Sequence, residues 1–284
     1  MESAAPSSEP VLVVTGAGGG LGARTVELFA ARGWRVVAAD LEAPPSGPRV
    51  TGVAVDVTDD ASVARLAERV RATTGGRVDA VVTFAGVLEV GPLAELDPRT
   101  LARVLDVNVV GTARCVRALF PLLRSSGGRV VLVGSETGPQ HAMPFNGPYA
   151  MSKHAIEAYA DAARRELTHL GVPVVLLQPG PFRTGMTASI RAGFAASTAP
   201  GSPFRAMAEV MGELAAGEDE RASDPWLLAG AVWRAVTAER PRARYAVRWD
   251  RGRALLDRVP VPVVDAALRR VLGPRIRSRS HGEG

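Results

Sequence analysis

The most constraining feature lies near the start of the chain. An apolar run, VLVVTG over 11–16, ends in a cluster of glycines and leads straight into LGARTVELFAARG over 21–33. The run reads as a buried parallel strand. Behind it Leu21, Val26, Leu28, Phe29 and Ala30 fall on one helical face, and Gly33 is a natural C-terminal stop. WRVVAAD over 34–40 then reads as a second strand, completing a strand–helix–strand unit. Such a unit commits the chain to parallel strands joined by right-handed crossovers.

The alternation continues along the chain. Strands are expected over 49–57, 77–86, 128–135, 172–180 and 243–249. Helices are expected over 60–75 (started by Asp59 or Asp60), 99–127 with a break near Gly111, 148–171 with Pro148 in its first turn, 224–239 and, as a short piece, 262–272. The implied fold class is α/β: a single Rossmann-type doubly wound parallel sheet of about seven strands, with helices on both faces. Residues 1–9 read as a flexible Pro/Ser-rich start and 10–258 as one dinucleotide-binding domain. Within it, 185–223 is rich in Gly, Ala and Ser, and is expected to hold short mobile helices over the substrate; 259–284 is a basic extension.

Charge is unevenly spread. From Arg240 to Gly284 twelve arginines face four acidic residues, an excess of eight against +5 for the whole chain. A solvated, partly disordered end is the expectation, because no nucleic-acid motif accompanies the arginines. The single cysteine, Cys115, falls in an expected helix and reads as a small core residue. MESAAPSSEP lacks the basic and apolar regions of a signal peptide, and no apolar stretch approaches membrane-spanning length, so a cytoplasmic location is expected. Four histidines, one cysteine and no metal-ligand spacing argue against a metal enzyme.

The turn Thr15-Gly16-Ala17-Gly18-Gly19-Gly20-Leu21-Gly22 joins the first strand to its helix. Glycines let the backbone approach a pyrophosphate closely, and the helix behind offers free N–H groups and a positive dipole end. Asp40 ends the second strand, where a carboxylate bonds the adenosine ribose and repels a 2′-phosphate. No arginine adjoins it, which favours NAD over NADP. Asp56, followed by Val57, ends the third strand and is a candidate acceptor for the adenine amino group; a loop-capping aspartate is the alternative.

Of 34 basic residues, Lys153 is the only lysine, and it stands four residues after Tyr149. On a helix that spacing puts both side chains on one face. Deprotonating an alcohol near neutral pH needs a base whose pKa is near the working pH. Lowering a tyrosine by three units needs about 4 kcal/mol. A cation about 5 Å away supplies about 3 kcal/mol at an effective dielectric near 20. Ser135 ends a strand at the sheet edge where ligands bind, and its hydroxyl is placed to hold a substrate oxygen. Asn108 sits inside a helical stretch, where asparagine is mildly unfavourable, and hints at a local break held for a reason.

These residues resemble the short-chain dehydrogenases/reductases. The family's Thr-Gly-x-x-x-Gly-x-Gly turn is matched by Thr15, Gly16, Gly20 and Gly22, and its Asn-Ser-Tyr-Lys tetrad by Asn108, Ser135, Tyr149 and Lys153. Its Pro-Gly turn and following threonine resemble Pro179-Gly180-Pro181-Phe182-Arg183-Thr184. The resemblance spans roughly residues 10–250. It implies Tyr149 as general acid/base, Lys153 on the nicotinamide ribose, Ser135 orienting substrate and Asn108 supporting a water relay. Cofactor contacts are implied at Leu21, Ala85, Gly86, Phe182 and Thr184. One departure stands out: the family's Asn-Asn-Ala-Gly is here Thr83-Phe84-Ala85-Gly86, which leaves the bracing of that strand in doubt.

Residues from Tyr149 through Arg183-Thr184-Gly185-Met186 look like the retinol and hydroxysteroid dehydrogenase branch, implying a lipophilic secondary or allylic alcohol or the matching ketone. His141, Met143, Phe145, Met186 and Phe194 are the candidate substrate contacts, beside Ser135 and Tyr149. A homo-oligomer, dimer or tetramer, is expected, with no nucleic-acid partner. The competing readings are an NADPH-dependent carbonyl reductase of the same family, a non-catalytic nucleotide-binding regulator, and a sugar-nucleotide epimerase or dehydratase on a similar scaffold. The intact tetrad speaks against the regulator, and the glycine pattern against the epimerase.

Overall fold

The computed structural model of the chain describes residues 9–185, 193, 194, 196–250, 252, 255 and 259–280. Its centre is a seven-stranded, all-parallel sheet in the order β3-β2-β1-β4-β5-β6-β7. The strands are β1 (Val11–Thr15), β2 (Arg35–Asp40), β3 (Val50–Ala54), β4 (Ala80–Thr83), β5 (Arg129–Val133), β6 (Val174–Pro179) and β7 (Arg244–Val247). The order reverses between β1 and β4, so the crevice for a ligand opens at the C-terminal ends of those strands.

Burial follows position in the sheet. Every residue of β1, β4 and β6 is buried, whereas β3 and β7, at the edges, keep partial exposure. Alternation along β1 feeds two cores: Val13 packs with Leu66, Leu119 and Ile156 on one face, Leu12 and Val14 with Phe29 and Val232 on the other. The first core receives α2 (Asp60–Thr74), α4 (Gly111–Ser126) and α5 (Gly147–Leu167); the second receives α1 (Gly20–Ala31) and α7 (Pro225–Thr237). Asp59 starts α2 by accepting from the N–H groups of Ala61 and Ser62, and Gly75 ends it in the left-handed region at φ 65°. Cys115 is buried in α4, where burial pushes its thiol up to about 12.

The long helical stretch does break, though not as a simple stop. α3 (Pro98–Leu105) runs into one π-helical turn, Asp106–Val110, before α4 resumes at Gly111. Such turns widen a helix by one residue and cluster at functional sites. Here the π-turn holds Asn108, which is buried.

Two expectations were too modest. The segment 185–223 contains α6 (Arg205–Glu220), a single 16-residue helix that turns Val210 and Met211 inward. The terminal helix, α8, spans Val261–Ser280 in place of the short 262–272 piece. Gly273-Pro274 reads as a stop, but Leu268, Leu272 and Ile276 pack onto the α6 side with Phe145 and Phe194 and carry the helix through it. Arg279 closes the contact by pairing with Glu209 at 2.9 Å and with Glu213. Among the described residues, no helix is long and apolar enough to cross a membrane.

Candidate active site

The glycine turn is built by close approach. Gly16 adopts φ +71°, and a Cβ there would lie 2.5 Å from Ala85 N and from the Phe84 carbonyl carbon. A Cβ on Gly22 would lie 2.1 Å from the Gly16 carbonyl oxygen. The exit of β4 therefore runs against the turn. Phe84 N–H donates to Thr15 O at 2.8 Å, which is part of the bracing the Thr83-Phe84 departure had left in doubt. Helix α1 begins behind Gly19, which has no side chain to cap it, and no acidic residue occupies its first turn. Those N–H groups and the dipole end suit a pyrophosphate, so the residues present fit a dinucleotide.

Asp40 sits beside this turn. Its Oδ2 accepts from Gly18 N–H at 2.8 Å and its Oδ1 from Leu41 N–H at 2.7 Å. Asp56 turns its Oδ1 to the Thr58 hydroxyl and N–H, which hold its carboxyl below the usual range. That is the loop-capping alternative in geometric form. Val57 packs into the core, and a Cβ on Gly111 would lie 2.7 Å from its Cγ2.

A cavity of about 550 Å³ opens at the C-terminal sheet edge. Ser135, Tyr149 and Lys153 all line it, together with Leu21, Gly86, Pro179, Gly180, Phe182 and Thr184. Ser135 leaves β5 two residues past its end, and its Oγ accepts from Thr137 N–H at 3.2 Å. Tyr149 and Lys153 share one face of α5; Lys153 Nζ lies 5.4 Å from the Tyr149 ring centroid and donates to Val133 O at 3.0 Å. A Cβ on Gly180 would lie 2.1 Å from the Arg248 carbonyl oxygen, so the turn after β6 needs glycine.

Asn108 does not line the cavity wall; it stands behind it. Its Oδ1 accepts from Val87 N–H at 2.8 Å, while its Nδ2 donates to Val87 O at 2.9 Å and to Ser152 Oγ at 3.0 Å. Ser152 Oγ donates in turn to Tyr149 O at 2.7 Å. The π-turn thus ties the segment after β4 to the helix that carries Tyr149.

The electrostatics differ from the expectation that Lys153 lowers Tyr149. Burial pushes the phenol up to about 12; a hydrogen bond with Ser135 pulls the other way, and the negative charge of Glu136 adds to the rise. The same burial pulls the Lys153 ammonium down to about 8. Desolvation is the largest cause of both shifts.

The substrate candidates divide. His141, Met143 and Phe194 line the cavity, and His141 Nε2 also lies 3.3 Å from Val259 O. Phe145 does not line it: at φ 68° it is wedged behind the wall, 5.8 Å from Phe194 and 6.5 Å from Phe204 between ring centroids. Met186 lies outside the described residues. Sequence reasoning missed Glu136, Thr137 and Gln140 on the loop after β5, as well as Met211 and Leu214 of α6. It also missed Val264, Leu268 and Val271 of α8, although their i, i+4, i+7 spacing was the available signal.

Comparison with known proteins agrees with this geometry. The model of the short chain dehydrogenase family matches residues 10–194. The chain belongs to the short-chain dehydrogenase family. It is 31% identical over 255 residues to "Retinol dehydrogenase 16" of Mus musculus, covering 84% of this chain and 80% of that protein. It is 32% identical over 253 residues to "NADPH-dependent 3-dehydrocapnine reductase" of Ornithobacterium rhinotracheale, covering 83% and 87%. Among solved structures, a short-chain dehydrogenase from Streptomyces avermitilis superposes with a TM-score of 0.74 at 26% identity, covering 93% of this chain and 96% of that one. Within the family, the chain stands near the retinol and hydroxysteroid dehydrogenases.

Proposed function

We propose that this short-chain dehydrogenase exchanges hydride between NAD(H) and a lipophilic secondary or allylic alcohol or its ketone, with Tyr149 as the general acid/base. The observation that carries the reading is the convergence of Ser135, Tyr149 and Lys153 on one cavity, beside a glycine turn whose helix N–H groups suit a pyrophosphate. The nicotinamide supplies the hydride donor or acceptor and, when oxidised, a positive charge. Ser135 Oγ holds the substrate oxygen. Tyr149 gives its phenolic proton to that oxygen in reduction and takes it back in oxidation. With its phenol pushed up to about 12, Tyr149 is protonated at neutral pH and ready to act as the acid. Lys153 places an ammonium beside the phenol and would hold the nicotinamide ribose of a bound cofactor, and Asn108 holds the surrounding backbone. Apolar walls from α6 and α8 favour a lipophilic body.

Asp40 supports NAD, since its carboxylate at the end of β2 opposes a 2′-phosphate. The NADP reading draws on the NADPH-dependent relative and on the engagement of both Asp40 oxygens with backbone N–H groups. The test is a panel of lipophilic alcohols and ketones followed by NADH absorbance. Turnover by the wild type and its loss in Tyr149→Phe are expected. Equal inactivity of both proteins, despite cofactor binding, refutes the enzyme reading. Repeating the assay with NADP tests Asp40, and a clear preference for NADP refutes that assignment.

A further inference from the structure

The loop between β5 and α5 carries more polar chemistry than the proposed reaction uses. Gln140 is only 4% exposed, and its Nε2 has no hydrogen-bond partner; neither has the buried Oγ1 of Thr137. Both residues line the cavity shared with Ser135 and Tyr149. Native proteins leave few buried polar groups unpaired, because each costs about 1–3 kcal/mol. Two in one four-residue stretch, lining one cavity, call for an explanation. Among the described residues the third such atom, Thr83 Oγ1, belongs to β4 and does not line the cavity.

The loop is not free to relax around them. Glu136 N–H donates to Pro179 O at 2.8 Å, Gly138 N–H to Ser135 O at 3.1 Å, and a Cβ on Gly138 would lie 3.0 Å from Glu157 Cγ. The α6 and α8 walls offer Met211, Leu214, Val264, Leu268 and Val271, none of which is a strong hydrogen-bonding partner. Both atoms are closed to the cavity as the side chains stand, so a ligand oxygen reaches them when the amide and the hydroxyl turn toward it.

We propose that Gln140, with Thr137 beside it, is a specificity-determining residue that binds a second oxygen of the substrate, separate from the C–O that reacts. The substrate class is an otherwise apolar alcohol or ketone with one further carbonyl, ether or hydroxyl oxygen. A glutamine amide carries both a donor and an acceptor and turns at low cost about its last torsion, so it can meet any of these. The proposal rests on reading the cavity as the substrate site.

The test uses pairs of ketones sharing a carbon skeleton, one member carrying a single oxygen and the other two, such as 1-decalone with decalin-1,5-dione and androstan-3-one with androstane-3,17-dione. In each skeleton that reacts, the dione is expected to have the higher kcat/KM by about tenfold. Gln140→Met is expected to erase that advantage, chiefly through KM. It is also expected to raise the Tm of the ligand-free protein, because an unpaired buried donor is removed; a merely structural glutamine would lower it. Ligand-induced thermal shifts of Tyr149→Phe, with and without Gln140→Met, read the same preference without turnover, which separates failure of this proposal from failure of the catalytic one. A wild-type preference for the monoketones, an equal effect of Gln140→Met on both members, or no difference between their thermal shifts overturns it.

Discussion

Replacing Lys153 with methionine is expected to make the protein more stable while removing its activity. The ammonium is buried, and burial alone pulls it from an ordinary 10.5 down to about 8. Holding it charged at neutral pH therefore costs the fold about 3 kcal/mol. Methionine fills similar space without that cost, but leaves Val133 O without its 3.0 Å donor, a loss of about 1 kcal/mol. The net gain is about 2 kcal/mol, or a rise in Tm of about 4–8 °C for a chain of this size. The pH dependence follows from the sign of the shift. The folded state gives up the proton at a lower pH than the unfolded state, so the penalty is full below about pH 8, shrinks between 8 and 10.5, and is absent above. Calorimetric melts of wild type and Lys153→Met across that range should show a Tm gap that closes as pH rises. A variant less stable than wild type at pH 7, or a gap that ignores pH, would refute the reasoning.

Three further outcomes follow from the same structure. Gly16→Ala forces a Cβ to within 2.5 Å of the Phe84–Ala85 backbone at φ +71°; weakened NAD binding in a fluorescence titration and a stability loss of about 2 kcal/mol or more are expected. Asn108→Ala leaves the Val87 N–H and C=O without their side-chain partners, a cost of about 2–4 kcal/mol, read as a lower Tm and faster amide exchange at Val87. Ketone reduction needs a protonated Tyr149 and a charged Lys153, so kcat/KM should be flat below about pH 8 and fall above it as the ammonium is lost, long before the phenol titrates near 12.

The sheet was legible because its strands carry their own signal. VLVVT and VVLLQP are apolar throughout, as strands buried on both faces must be, and Asp59 and Gly75 mark the ends of α2 in the sequence itself. Asn108 was legible as an anomaly: a poor helix former inside a helix, whose cause is the π-turn that lets it reach Val87 and Ser152. What stayed hidden depends on contacts between distant segments. Nothing local in Gly273-Pro274 says that a helix continues, because Leu272 and Ile276 are held by the α6 side. Burial of the Tyr149–Lys153 pair is likewise set by a cavity whose walls come from the loop after β5 and from α6 and α8, which spacing along one helix does not reveal.

The cavity is assembled from two sources with different histories open to them. The glycine turn, Ser135, Tyr149 and Lys153 lie within residues 10–194, which the family model matches, whereas α6 and α8 follow that match, in chain that the similar proteins cover in part. Those two helices are joined to each other by an apolar seam and the Arg279 ion pairs, and the seam also takes in Phe145, four residues before Tyr149. Substitutions at Leu214, Val264 and Val271 reshape the cavity wall and leave Ser135, Tyr149 and Lys153 themselves in place. A lineage carrying this architecture can change what it oxidises or reduces by redrawing one wall, and selection on substrate range can proceed almost independently of selection on rate.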